Sequence, residues 1–204
     1  MDTSTIARLL EPYASLDEKR LRNISTYIDI MMKWNARINL TAVRKPEEIV
    51  TRHFGESLFC ASHVFSTEEA RDMVDLGSGA GFPGIPFALW SPETQVTLIE
   101  AQQKKATFLR EVIFALELKN VKVFSGRAET FPGKVGLVTM RAVECFGESF
   151  PLAVNLTEEG GRLGLLIGAA QVTKADELGN EVKWNDPVAI PGSQSRVLLL
   201  GVKN

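Results

Sequence analysis

The chain has 204 residues, 45% of them hydrophobic, and a formal net charge of −2. That size suits one compact domain with at most a small appended subdomain, and the charge excludes a polycation, so any nucleic-acid contact must come from a local basic patch. No run approaches the roughly 20 apolar residues of a membrane helix, and Cys60, Cys145, His53 and His63 are too few for a disulfide framework or a His-rich metal cluster.

Residues 1–65 read as helices. Ser15-x-x-Glu18 has the form of a capping box, and Leu21, Ile24, Ile28 and Met31 follow at helical spacing beside Tyr27 and Trp34. This helix is expected to fade near Asn39. Pro46 suits the first turn of another, with Glu47 and Glu48 near its positive end. From residue 71 the pattern changes to short apolar runs alternating with helical periods. Strands are predicted over 73–77, 96–100, 121–126, 135–140 and 162–168. Helices are predicted near 83–90, over 106–118 and over 146–156. Two further strand-like runs, around 181–190 and 195–202, flank Pro191-Gly192-Ser193. Such alternation predicts an α/β fold: a Rossmann-like parallel sheet with helices on both faces, closed by an antiparallel strand. We divide the chain into a helical N-terminal cap, 1–67, and a Rossmann-like domain, 68–204.

The chemistry is concentrated in Asp75-Leu76-Gly77-Ser78-Gly79-Ala80-Gly81-Phe82-Pro83-Gly84, between a strand and a helix. Glycines there let a ligand approach the backbone, and the helix start offers N–H groups to an anion. Glu100 ends the second strand, where a carboxylate can accept from two ribose hydroxyls. Gly79-x-Gly81-x-x-Gly84 also satisfies the dinucleotide fingerprint. The D-x-G-x-G-x-G form that starts at Asp75 favours S-adenosylmethionine as cofactor, with a nicotinamide or flavin dinucleotide as the alternative. Ala128-Glu129 follows the third strand, at the usual place of an adenine; otherwise Glu129 is an exposed helix-start acid. Arg141 ends the fourth strand and either faces the reaction centre or forms an ion pair with Asp75 or Glu129. It is the nearest candidate for a catalytic residue.

The fourth strand ends in Thr139-Met140-Arg141-Ala142, without the Asn/Asp-Pro-Pro-aromatic signature of amino-group methyltransferases. Cys145 lacks the preceding Pro of a cytosine-C5 nucleophile and reads as a small buried side chain. The methylated atom therefore needs no attacking cysteine.

Taken together these residues resemble the glucose-inhibited division protein B family, the methyltransferases of guanine N7 in small-subunit (16S) ribosomal RNA. Trp34-Asn35-x-x-Ile38-Asn39-Leu40-Thr41-Ala42-Val43-Arg44 is similar to the family's N-terminal signature. Thr51-Arg52-His53-Phe54 with Ser57 resembles its Arg-His…Ser element, DLGSGAGFPGIP (75–86) its glycine-rich loop, and Arg141-Ala142 its strand-four element. The likeness covers nearly the whole chain. It departs from the family at Ile167, where many members carry Lys, and at Glu56, often Asp.

The resemblance implies a class I S-adenosylmethionine-dependent enzyme in which Gly77, Phe82, Ala128, Glu129 and Arg141 contact the cofactor, Phe82 through its backbone. Asp75, Gly79 and Glu100 of the motif itself are expected to complete the cofactor contacts. The partner is 16S ribosomal RNA or the small ribosomal subunit; the protein is expected to be a cytoplasmic monomer, with no membrane and no metal involved. Residues 31–53 carry Lys33, Arg37, Arg44, Lys45 and Arg52 against Glu47 and Glu48, a surplus of +3, and Lys104 and Lys105 add charge by the second strand. Such a patch either tracks phosphates or is ordinary solvated helix charge. His53 reads as packed within the cap rather than touching RNA, and Trp34 and Tyr27 as core. N7 carries an in-plane lone pair, so alignment and not a general base should drive transfer. N7 lies in a deep, narrow groove of paired RNA, so the target belongs in a loop or is extruded. Methylation of a protein or small molecule on the same fold, or a non-catalytic RNA-binding assembly factor, are the competing readings.

Overall fold

The computed structural model describes residues 1–65, 72–141 and 146–204. The expected boundary at 67/68 lies outside them, as do Ala142 and Cys145. The cap consists of α1 (Thr3–Leu10), α2 (Glu18–Asn35) and a helical rod made of α3 (Pro46–Ile49), a π-helical turn (Val50–Gly55) and α4 (Glu56–Val64). α2 starts later than the Ser15 box implies. Asp17 is its N-cap, with a side chain that accepts from Arg20 N at 2.8 Å. It also stops at Asn35, short of Asn39. The Asn35 side-chain oxygen accepts from Leu40 N (2.9 Å) and Thr41 N (3.1 Å), which bends the chain back on itself. Pro46 occupies the first turn of α3, where its missing N–H costs nothing.

The sheet follows as β1 (Asp72–Leu76), α5 (Gly84–Trp90), β2 (Gln95–Ile99), α6 (Gln103–Ala115), β3 (Val121–Phe124), β4 (Val135–Arg141), α7 (Phe146–Leu156) and β5 (Thr157–Gly168). It continues with α8 (Val172–Leu178), β6 (Val182–Trp184), β7 (Val188–Ala189) and β8 (Arg196–Lys203). Each strand predicted between residues 73 and 168 is present. β5 begins earlier than expected, at Thr157, and its pairing with β4 shifts register between Val135 and Leu137. α8 escaped the sequence reading because, in a single short turn-pair, only Ala175 is buried. The order is β3-β2-β1-β4-β5-β8-β6, parallel from β3 to β5, with β8 antiparallel to β5. β6 and β7 lie in succession along the outer edge of β8, as one broken strand.

Residues alternate between the two faces of the buried strands, as period 2 demands. Val74, Val138, Met140, Leu163 and Leu165 face one cluster with Phe146 and Phe150 from α7. Met73, Leu137, Val96, Leu98 and Leu166 face the other, which also takes in Ile6, Ile24, Tyr27, Met31, Phe54 and Leu58. The cap therefore shares one continuous core with the sheet. Among the described residues no helix is long and apolar enough to cross a membrane.

Tyr27 sits at the centre of this joint. It is fully buried, its ring stacks on Phe82 with centroids 5.3 Å apart, and its hydroxyl donates to Ala80 O inside the glycine-rich loop. Tyr27→Phe keeps the stack but strands a buried carbonyl. It should lower the free energy of unfolding by about 1–3 kcal/mol, read as a reduced urea midpoint at unchanged slope.

Candidate active site

The carboxyl ends of β1 to β4 finish level: Leu76 pairs with Ile99 and Met140, and Ile99 with Phe124. Gly77, Glu100 and Arg141 thus leave the sheet along one edge. Chain order runs away from β1 in both directions, so β1 and β4 flank the point where an open α/β sheet leaves its ligand crevice.

The glycines of the loop divide into two kinds. Gly77, Gly79 and Gly81 all have left-handed backbones, with φ of 69°, 56° and 85°. A Cβ on Gly81 would lie 2.4 Å from the Tyr27 hydroxyl, and one on Gly84 2.3 Å from Leu98 Cδ2, so these two glycines serve internal packing. Among the described residues, a Cβ on Gly77 would meet nothing within 4 Å, and one on Gly79 only Gly77 O at 3.8 Å. The backbone here is shaped around open space, as a cradle for a ligand requires.

Glu100 braces that cradle. One carboxylate oxygen accepts from Gly79 N at 2.9 Å and the other from Gln102 N at 2.7 Å. Each oxygen keeps a second lone pair, so the group can still accept from two neighbouring hydroxyls. Ala128 and Glu129 lie in a 3₁₀ turn (Ala128–Thr130) after β3, with Ala128 half-buried and Glu129 exposed. Asp75 takes a different place. It is fully buried, accepts from Gly84 N at 3.0 Å and from the Thr139 hydroxyl at 3.3 Å, and burial raises its carboxyl to about 6. It acts on the loop from behind, through the backbone of Gly84. The donor set of Gly77, Gly79 and Glu100 fits an adenosyl amino acid: a cradle free of side chains, and a carboxylate with spare acceptor capacity for a ribose.

The Phe82 side chain turns away from the crevice. It packs between Tyr27, Phe54 and His53, at centroid distances of 5.3, 5.0 and 5.0 Å. This leaves its backbone as the part that a ligand can reach.

Arg141 is neither exposed nor paired with Asp75 or Glu129. Its Nη2 donates to Arg52 O (2.8 Å) and to His53 Nδ1 (2.9 Å) and lies 3.3 Å from Glu56 Oε2 as an ion pair. Glu56 is 2% exposed, and its other oxygen is 2.5 Å from Arg196 Nη2. Neither Glu56 nor Arg196 stood out in the sequence as a site residue. Their meeting joins α4 to β8, about 140 residues apart, and no local spacing reports such a contact. The π-helical turn places Arg52 and His53 here, a common association of that geometry with functional sites.

His53 is held neutral. Burial and then the charge of Arg141 press its pKa down to about 3. With Nδ1 accepting from Arg141, Nε2 carries the proton and donates to the Thr41 hydroxyl at 2.9 Å. The packed reading of His53 agrees with this geometry, as the core reading does with Tyr27; Trp34 is half-buried, against Phe108, and its Nε1 donates to Glu111 at 2.8 Å. Of the basic residues in 31–53, Arg44 is tied to Asn35 O and Asn39 Oδ1, and Lys45 lies 3.7 Å from Glu48. Lys33, Arg37 and Arg52 are exposed.

The neutral imidazole has a consequence for stability. Between pH 6.5 and about 3 the unfolded chain binds a proton at His53 that the native state refuses, so stability falls as pH falls through this window. His53→Asn offers Arg141 an acceptor that does not titrate. In urea unfolding the wild type should lose stability relative to this variant below pH 6.5, by up to about 1.4 kcal/mol per pH unit. Parallel pH profiles would mean that folded His53 takes up the proton.

Residues 20–193 match the family described as rRNA small subunit methyltransferase G. The chain is similar to the ribosomal RNA small subunit methyltransferase G of Roseiflexus castenholzii, with 37% identity over 92% of this chain and 85% of the relative. It is similar to that of Nitrosomonas eutropha at 38% identity, over 94% and 89%. A solved structure of ribosomal protein L11 methylase from Lactobacillus delbrueckii subsp. bulgaricus superposes with a TM-score of 0.63 at 13% identity, over 75% of this chain and 79% of that one, a likeness of fold. The chain therefore belongs to the rRNA small subunit methyltransferase G family, and it is an S-adenosylmethionine-dependent methyltransferase of small-subunit ribosomal RNA.

Proposed function

We propose that Gly77, Gly79 and the backbone of Phe82 cradle S-adenosylmethionine, that Glu100 takes its ribose hydroxyls, that the 3₁₀ turn at Ala128-Glu129 borders its adenine, and that Arg141 lies where cofactor and guanine meet. The enzyme transfers the methyl group to N7 of one guanine in a loop of 16S ribosomal RNA. The observation that carries this reading is the open cradle: two left-handed glycines with no described residue where their side chains would stand, braced by a carboxylate that retains acceptor capacity. We place the protein in the cytoplasm as a monomer.

S-adenosylmethionine supplies an electrophilic methyl group on a positively charged sulfur. What the chain must add is alignment, because guanine N7 brings its own lone pair. The titratable groups at this edge agree with that. His53 has its basic nitrogen occupied by Arg141 and its proton directed at Thr41, so it is not a base for the substrate. Asp75 is sealed behind the loop with hydrogen bonds on both oxygens. Among the described residues Arg141 is held through Nη2 alone, which leaves Nε and Nη1 able to orient an acceptor, such as a guanine carbonyl or a carboxylate.

Two measurements test the assignment. Glu100→Gln keeps the shape of the side chain but removes its charge. It should weaken S-adenosylmethionine binding in calorimetry by about 1–3 kcal/mol. An unchanged affinity removes Glu100 from the ribose. N7 methylation makes the glycosidic bond labile, so borohydride and aniline cleave the RNA there. Small-subunit RNA from cells lacking this protein should lose one such cleavage and regain it when the protein is restored; an identical pattern in both contradicts the N7 assignment.

A further inference from the structure

A second binding element lies beside the cofactor edge. β8 returns antiparallel along β5 and sets Arg196 opposite Gly168, at the carboxyl end of β5, while Arg141 pairs with Leu166 on the other side of the same strand. The two guanidinium groups thereby reach one sheet edge from different strands and close on the two oxygens of Glu56, at 2.5 Å for Arg196 and 3.3 Å for Arg141. Arg52 belongs to the same group. Its carbonyl accepts from Arg141, and its charge acts on Glu56, His53 and Arg141.

The charge does not balance. Among the described residues, Arg52, Arg141 and Arg196 face Glu56, Asp75 acts on Arg141 from behind the loop, and His53 contributes no charge because it is neutral, so the cluster carries a surplus of one positive charge. Like charges held together in a partly buried setting repel, and the protein gains nothing from that arrangement alone. The hydrogen-bond donors are also unspent. Arg196 uses Nε on the Ser193 hydroxyl (3.3 Å) and Nη2 on Glu56, and its remaining N–H groups have no protein partner among the described residues. Its side chain is 27% exposed, so these donors are within reach of solvent, and Arg52 is exposed outright. A neutral base edge would use the donors but leave the charge uncompensated. A phosphodiester would satisfy both, since a guanidinium fork matches its geometry.

We infer that Arg196 and Arg52 bind a backbone phosphate of the RNA beside the target guanine, and that Glu56 is the positioning residue that fixes Arg196 relative to Arg141. The inference rests on the ribosomal RNA reading given above and names the contact by which the strand is held at the sheet edge.

The test uses the full chain with small-subunit ribosomal RNA from cells that lack this protein, and compares wild type with Arg52→Gln, Arg196→Gln and Arg196→Lys. Both Gln variants should raise KM for RNA roughly tenfold near physiological salt, as expected for a lost charge-assisted contact. Each should flatten the log–log dependence of RNA affinity on salt by about 0.7–0.9, the share of one phosphate contact. Affinity for S-adenosylmethionine should stay within twofold. Arg196→Lys should keep the salt slope yet raise KM part of the way, because it retains the charge and loses the fork. If Arg196→Gln shows no melting transition, the double variant Glu56→Gln/Arg196→Gln, which also removes the buried negative charge, replaces it. Gln variants that fold and match wild type in both KM and salt slope overturn the inference while leaving the enzyme's function intact. A wild type that binds S-adenosylmethionine but neither binds nor methylates the RNA, whether free or within the small subunit, overturns the ribosomal RNA reading, and the inference with it.

Discussion

A turn that must leave space for a ligand has few side chains with which to hold its own shape, so its conformation has to be imposed from outside. Gly77, Gly79 and Gly81 occupy backbone angles that are costly for other residues, and without constraints such a segment would sample many alternatives. Here each part is fixed by a different neighbour. Ser78 N donates to Ile99 O of the next strand and its hydroxyl to Asp75 O. Gly79 is tied to Glu100, Ala80 to Tyr27 and Gly84 to Asp75. Phe82 anchors the loop in an aromatic cluster supplied by the cap. The loop is thus pre-organised by β1, β2 and α2 together, and the ordering entropy is met on folding instead of on binding.

This dependence explains what the cap is for. Asn35 folds the segment after α2 into a tight turn by bonding Leu40, Thr41 and Val43, and Arg44 closes it from the other side. The product of that turn is a single hydroxyl, Thr41 Oγ1, aimed at His53. His53 is in turn fixed against Phe82 and Arg141. The N-terminal signature is therefore a support for Arg141, transmitted through one neutral imidazole, as well as a candidate surface for RNA. Burial of Glu56 fits the same scheme. A carboxylate at this depth is tolerable only because two guanidinium groups accompany it, and they are correspondingly restricted by it.

Much of this was legible in the sequence. Strand and helix periods gave the order of elements from β1 to α7, because buried parallel strands are short apolar runs and their partner helices are amphipathic. The loop and Glu100 could be placed because their chemistry is local: a strand, a glycine turn, a helix start and an acid at the next strand end. Asp75 shows the limit of such reading. Its position in the motif marks it, but whether a carboxylate points toward a ligand or back into the loop depends on Thr139 and Gly84, which arrive from other elements. The strand end marks Arg141, but the alternative to a ligand contact, an ion pair with Asp75 or Glu129, is met by Glu56 instead, which reaches it only through the packing of α4 on the sheet. Arg196 carried no signal at all. Its role comes from the register of β8 on β5, a quantity that no pattern within either strand encodes.

The place of β8 bears on how the enzyme is made. This strand lies between β5 and the β6–β7 edge, contributes Leu198 and Leu199 to the core, and delivers Arg196 to the site. It is synthesised after every other strand and helix of this fold. Until β8 pairs, Glu56 lacks Arg196 and the outer edge of β5 is open. The ribosome thus has to finish β8 before it can release an enzyme with a complete reaction edge, and that enzyme's substrate is RNA of the ribosome's own small subunit.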